Sequence, residues 1–417
     1  MNYCNTANLK SENVITTDTI FRLTAYFYVF CMCFCYSSGE FLMRVARVAI
    51  VLAWLLNLVD NRDRPLKLSF YFVWIAVVMV YGLINAFTVS IKVQESVNFW
   101  LSMLYTMVVT FVLFDYMRYH KEFLYSLMKV FVFSIIISLL QIYLVNGWLA
   151  FLNSRGGNLN INGHAFKCTI GAAICFYFLT NSSRLGVSKT LFSWLLTICT
   201  VLTFLTFART CYIILGVMFL VYIVLSRKNI VSAALSVVIV CIGVLLLYSI
   251  LINVDFLYEL VGHRLQTAIN GLLGLGGEID TSTTTRATLI EKGLKWFNEK
   301  PWLGYGLDGF RIMHWQDYGS IGTALYSHNN FIEMLVDLGL VGFVLYYSLY
   351  VYIFIKGLKA LKSKTKSSKF FFALFIALVV SEYARVTYYV PHAQFAIMLC
   401  LFGLTQFNDK QEKVQNA

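Results

Sequence analysis

Two stretches hold most of the polar chemistry of this 417-residue chain: RATLIEKGLKWFNEKPWLGYGLDGF at 286–310 and SHNNFIEMLVDLGLVG at 327–342. Both belong to or border the one long polar interval, 253–328, of an otherwise apolar sequence. That interruption decides the fold. Before it, apolar runs occupy 20–37, 41–59, 68–87, 99–114, 124–145, 165–179, 191–208, 211–225 and 230–252. After it they occupy 331–355, 370–384 and 392–407. A bilayer span needs about 20 apolar residues. The pattern therefore predicts an all-α polytopic membrane protein with about 12 transmembrane helices and one long, partly helical outer loop. Three divisions follow: 1–252 with the first nine spans, 253–330 as the loop with an amphipathic helix, and 331–417 with the last three spans and a short cytoplasmic tail.

Composition agrees. Hydrophobic residues make up 59% of the chain and charged residues 13%, and the mean hydropathy is +0.71. A soluble chain would carry about a quarter charged residues. The net charge of +12 thus speaks first to membrane orientation. No basic stretch alternates with aromatics as a nucleic-acid groove requires, so no nucleic-acid partner is expected. The ten cysteines lie mostly inside apolar runs, where cysteine packs as a small hydrophobe. Nothing at the start of the chain reads as a removable signal peptide.

The positive-inside rule orients the spans. One set of loops holds fifteen Lys and Arg residues, six of them in KGLKALKSKTKSSK at 356–369. The opposite set, apart from the long loop, holds seven: Arg44, Arg47, Lys92, Arg155, Lys167, Arg209 and Arg385. The fifteen-residue side is the cytoplasmic one, and both termini lie there. The reversal at 208–210 is the delicate step, because 191–225 has almost no polar spacer. One continuous helix would run 35 residues, too long for a bilayer, and would invert every later loop. A phosphatase reporter fused after Gly277 should accordingly be active and one after Ser363 inactive; the reverse pattern would overturn the orientation.

The long loop is rich in Trp, Phe and Tyr, too aromatic for disorder. Within it, 285–299 reads as a helix stopped by Pro301, with threonines before it as caps. At 100° per residue Leu289, Ile290, Gly293 and Phe297 lie within about 60° of Arg286, while Glu291, Lys292, Lys295 and Glu299 lie opposite. Arg286 is the one charge on the inward face, in the first helical turn, where the dipole suits an anion as partner. A salt bridge to Glu278 or Asp280 is the competing role. Arg209, in TFARTCY between two apolar runs, is either a functional cation or an interface anchor. Arg155, in the Gly/Asn-rich NSRGGNLNING, is either a ligand or part of a turn. His328 is placed for general acid–base work or for capping the next helix. Glu333 and Asp337 share a helical face with Asn330 and are expected to pair with basic groups. GYGLDG at 304–309 matches a dinucleotide fingerprint but lacks a preceding strand, so its glycines read as turns beside a substrate path. His314 and His328 have no ligand cluster around them, and no metal or cofactor is expected.

At these residues the chain resembles the O-antigen polymerase and O-antigen ligase superfamily of bacterial envelope glycan enzymes. The resemblance rests on the two opening stretches, with Gly339 and Gly342 ending the second. TFART resembles the family's Thr-x-Ser-Arg segment with Ala208 for serine, and NLNING its Asn-Pro-Asn segment with Ile161 for proline. These motifs cover about a quarter of the chain. The resemblance implies a GT-C-like, metal-independent glycosyltransferase of the bacterial inner membrane, active at its periplasmic face. Its donor and acceptor would be undecaprenyl-pyrophosphate-linked glycans, and a chain-length regulator and a flippase would be its partners. It implies catalytic roles for His328, Arg286 and Arg209, and substrate-binding roles for Arg155, Asn160, Asn162, Asn329, Gly304 and Gly306. The single histidine favours a polymerase of O-antigen, capsule or exopolysaccharide over a ligase. A lipid-linked glycan flippase is the reading from another class; it calls for inverted repeats and charges deep in spans, of which Lys129 is the clearest.

Overall fold

The computed structural model describes residues 16–34, 40–62, 68–146, 161–206, 208–273, 281–318 and 324–406. Among them the regular structure is helical and no strand occurs. Each predicted apolar run contains a helix. The first nine are α1 (Thr17–Phe34), α2 (Glu40–Asp60), α3 (Phe70–Thr88), α4 (Val93–Tyr119), α5 (Phe123–Asn146), α6 (Ile161–Thr180), α7 (Lys189–Leu205), α8 (Arg209–Ser226) and α9 (Ile230–Asn253). The polar interval supplies α10 (His263–Leu273), α11 (Thr281–Glu299) and α12 (Gly309–Tyr318). The chain then returns through α13 (Asn330–Ala360), α14 (Lys366–Ser381) and α15 (Pro391–Thr405). Seven helices among the described residues are long and apolar enough to cross a bilayer: α2, α3, α4, α5, α8, α9 and α13. Helices α7 and α15 are apolar but shorter.

Side-chain caps set several helix starts, as expected where four amides lack intrahelical partners. Ser69 accepts from the Phe72 amide at 3.2 Å, Asn229 from Ser232 at 2.8 Å and Thr365 from Ser368 at 3.1 Å. The helix break expected at 208–210 is present: α7 ends at Leu205, and extended Ala208 opens α8 at Arg209. Helix α15 is apolar all round and buried nearly throughout, so it forms the centre of the bundle. It packs on α4, α13 and α14. Helix α9 is equally apolar but exposed along most of its length, as with Leu245 at 65%. It leans on α8, and its free sides suit acyl chains.

Helix α13 is interrupted at Gly339, whose φ of 63° and ψ of −171° lie outside helical space. The interruption frees backbone groups that lipid cannot satisfy. The loop after α11 satisfies them. Tyr305 and Gly306 donate amides to the Val336 and Asp337 carbonyls, each at 2.9 Å. Leu340 and Val341 donate to the Pro301 and Trp302 carbonyls at 2.8 and 3.2 Å. The Tyr81 hydroxyl donates to the Leu338 carbonyl at 2.7 Å. So close an approach needs glycine on both sides: a Cβ at Gly304 would lie 2.5 Å from the Val336 oxygen, and one at Gly339 2.3 Å from Trp302 main-chain atoms.

Helix α11 packs on the first part of α13. Leu289, Trp296, Tyr305, Phe310, Ile332 and Val336 form a separate apolar cluster that joins α11, α12 and α13. The inward face inferred for α11 holds: Leu289 and Gly293 are buried, and Ile290 and Phe297 pack on the cluster. Its start is corrected. The helix begins at Thr281 rather than 285, so Arg286 is its sixth residue and lies beyond the first turn. The dipole argument for an anion there lapses, because that effect fades within one turn.

Candidate functional site

The entry to α13 is a tight turn built by its own side chains. The Ser327 hydroxyl donates to the Asn329 carbonyl at 2.7 Å and accepts from the Asn329 amide at 3.0 Å. The Ser327 amide donates to the buried Glu333 carboxylate at 2.7 Å. Asn329 Oδ1 accepts the amides of Phe331 at 3.0 Å and Ile332 at 3.2 Å, capping the helix. Between them His328 adopts φ 56°, a left-handed conformation that histidine enters more readily than most residues. Its ring is half-buried, 4.1 Å from that of Tyr326.

A second segment, between α14 and α15, is held against this turn. Asn330 Oδ1 accepts the Thr387 amide at 2.8 Å and the Tyr388 amide at 3.2 Å. The Asn330 amide donates to the carbonyls of Glu382 at 2.8 Å and Arg385 at 3.1 Å. The buried Glu382 carboxylate accepts from Asn330 Nδ2 at 3.1 Å, Tyr347 at 2.7 Å, Thr387 at 2.9 Å and Tyr350. These donors offset part of the cost of burying the carboxylate, and through it they fix the backbone that carries Arg385.

The Arg385 side chain reaches two further helices. Its Nη2 donates to the Asn162 carbonyl of α6 at 2.8 Å, and its Nη1 to Cys211 Sγ of α8 at 3.5 Å. Its Cζ lies 4.4 Å from the Phe166 ring centroid. The charges of Arg286 and Arg385 both act on His328. Burial first, then Arg286 and Arg385, pushes the imidazole down to about 4, so the ring is neutral near pH 7. The same two arginines act on Tyr326, whose hydroxyl is nonetheless held above its ordinary range by burial.

Of the residues singled out in the sequence, His328 and Arg286 come together in this cluster. Asn162 joins through its backbone carbonyl while its side chain is exposed. Arg209 opens α8 two residues before Cys211, but is not among the charges acting on His328. Asn329 is buried as a helix cap. Gly304 lies against the α13 break and Gly306 against Ser90. Arg155 and Asn160, like Glu278 and Asp280, lie outside the described residues. Glu333 and Asp337 correct the expectation of basic partners: Asp337 accepts from the Phe310 and Asp308 amides at 2.8 and 3.2 Å and from the Tyr388 hydroxyl at 2.8 Å. Main-chain amides and a hydroxyl are their hydrogen-bond donors, and among the described residues neither forms a salt bridge, although the charge of Arg311 acts on Glu333. No metal-ligand group occurs among the described residues.

Sequence reasoning gave no role to Arg385, Asn330 or Glu382. One signal was available: Glu382 lies inside the run read as a span, 370–384, where a carboxylate is costly unless it has a task.

Comparison with known families places a match on this region. Residues 192–347 match the Wzy_C family model, described as O-antigen ligase. The matched segment runs from α7 to the middle of α13 and includes Arg209, Arg286 and His328. It bears out the superfamily resemblance read from the motifs and supports membrane glycosyltransferase-type chemistry of the polymerase and ligase kind. No curated protein matches the chain significantly.

Proposed function

We propose that the protein polymerises undecaprenyl-pyrophosphate-linked oligosaccharide repeat units at the periplasmic face of the bacterial inner membrane. The observation that carries this reading is the neutral His328 beside two arginines at the entry of α13. The acceptor sugar hydroxyl attacks the anomeric carbon of the donor glycan. A new C–O bond forms, the bond to the pyrophosphate breaks, and its electron pair leaves with the lipid pyrophosphate. The hydroxyl proton passes to His328. Arg286 and Arg209 balance the charge growing on the leaving group, the electrostatic role that commonly dominates catalysis.

The same charges gate the base. In the free enzyme Arg286 and Arg385 oppose protonation of His328. A bound pyrophosphate cancels their field, so the imidazole becomes more basic once the donor is seated. The free-enzyme value governs kcat/KM and the bound value governs kcat. The acid limb of kcat/KM should therefore fall near pH 4, and that of kcat at a higher pH. Coincident limbs would remove His328 from proton transfer. Arg286→Lys should lose most activity, since a point charge cannot reproduce bidentate phosphate contacts; wild-type rates would point to charge alone.

The description of the matched family favours a second reading, transfer of the finished glycan to lipid A core by a ligase. A deletion strain separates the two. Single repeat units on lipid A core support the polymerase; loss of all surface glycan with normal repeat-unit synthesis supports the ligase or a flippase.

A further inference from the structure

Arg385 carries a charge that its neighbours do not compensate. It has a carbonyl and a thiol as hydrogen-bond partners and an aromatic ring beneath it. Among the described residues no carboxylate lies within 4.0 Å of its nitrogens, and its Nε makes no hydrogen bond. The natural local partner, Glu382, is committed to Tyr347, Tyr350, Thr387 and Asn330. The chain thus holds a guanidinium in place through a buried strut while withholding a counter-ion. It does so beside His328 and Tyr326, where the charge of Arg286 also acts. A guanidinium held without a counter-ion at the rim of an apolar bundle is costly to fold unless an anion completes it. Arginine's planar fork suits phosphate oxygens, and with two contacts already fixing the side chain, little rotamer freedom is left to lose on binding.

We propose that Arg385 is a binding residue for the pyrophosphate of the lipid-linked donor, which it grips together with Arg286. The inference deepens, and rests on, the glycosyl-transfer reading above. It assigns to the loop between α14 and α15, beyond the matched segment 192–347, a direct part in donor recognition.

The test uses purified full-length protein in detergent and a polyprenyl pyrophosphate carrying no glycan, so that binding is read without turnover. Wild type, Arg385→Lys and Arg385→Gln are compared by melting temperature without lipid and by lipid affinity. Loss of charge-assisted hydrogen bonds to phosphate should weaken binding about 100-fold in Arg385→Gln and about 10-fold in Arg385→Lys. The melting temperature of lipid-free Arg385→Lys should match wild type. Should Arg385→Gln fail to fold, Arg385→Lys decides. Wild-type affinity in Arg385→Lys, or weaker binding only in step with a lowered lipid-free melting temperature, overturns the assignment and leaves the glycosyl-transfer reading standing. Failure of the wild-type protein to bind the pyrophosphate lipid sinks both.

Discussion

His328→Ala is expected to lower glycosyl transfer by about 10²–10⁴-fold, the usual contribution of a positioned general base. The readout is chain length: long-chain glycan should vanish while the protein accumulates in the membrane as wild type does. The backbone at His328 is left-handed, at φ 56°, so alanine adds a conformational penalty unrelated to chemistry. His328→Asn separates the two effects, because asparagine tolerates that conformation and still cannot take the proton. Both variants should be inactive, and the asparagine variant should keep its stability. Normal-length glycan from either would end the assignment of His328 as base.

Gly339→Ala should be among the most damaging single-methyl changes in the chain. The conformation there, φ 63° and ψ −171°, belongs to a region almost reserved for glycine. The added Cβ would also sit 2.3 Å from both the carbonyl carbon and the oxygen of Trp302, rigid atoms that cannot swing aside. Backbone strain and overpacking each cost about 1–3 kcal/mol, so the sum is about 2–6 kcal/mol. Relief by detaching the 301–306 loop would orphan the carbonyls of Val336 and Asp337 and the amides of Leu340 and Val341. The expected result is a large fall in melting temperature in detergent and reduced accumulation in cells. A wild-type melting temperature would show that the break in α13 does not depend on glycine.

How far the fold could be read in advance differs from element to element. Helix-forming runs were legible because bilayer solvation imposes length and polarity together. Even the spacer-free helix break before Arg209 was, because one continuous helix would have been too long. The start of α11 was misjudged by four residues. The threonines before Arg286 can cap a helix or belong to one, and tertiary packing on α13 decides between these. The interruption at Gly339 was not legible at all. Its cause is a loop that closes on it from more than thirty residues upstream, and no local propensity records that pairing.

The site was half legible. Arg286 and His328 could be found because each is a polar exception on a patterned face. Glu333 and Asp337 were read as cation partners because carboxylates usually are; here burial beside amides and a tyrosine hydroxyl gives them other donors. Arg385 was counted among the outer cations but given no role, because a lone arginine in a short loop between spans has no pattern around it. Its meaning depends on where Glu382 and Asn330 hold the loop, a relation between residues 52 positions apart.

That relation also bears on when the site comes into being during synthesis. Arg286 and His328 leave the ribosome well before the segment 382–388, and Asn330 waits at the head of α13 for partners not yet made. Apart from the Tyr347 hydroxyl of α13 itself, its side chain and amide find their acceptors and donors only when the segment between α14 and α15 is in place. A chain stopped short of that hairpin would hold the histidine and the first arginine without the brace that orients the turn. Completion of the site therefore waits for α14 and α15, and a copy truncated before them is expected to be inert.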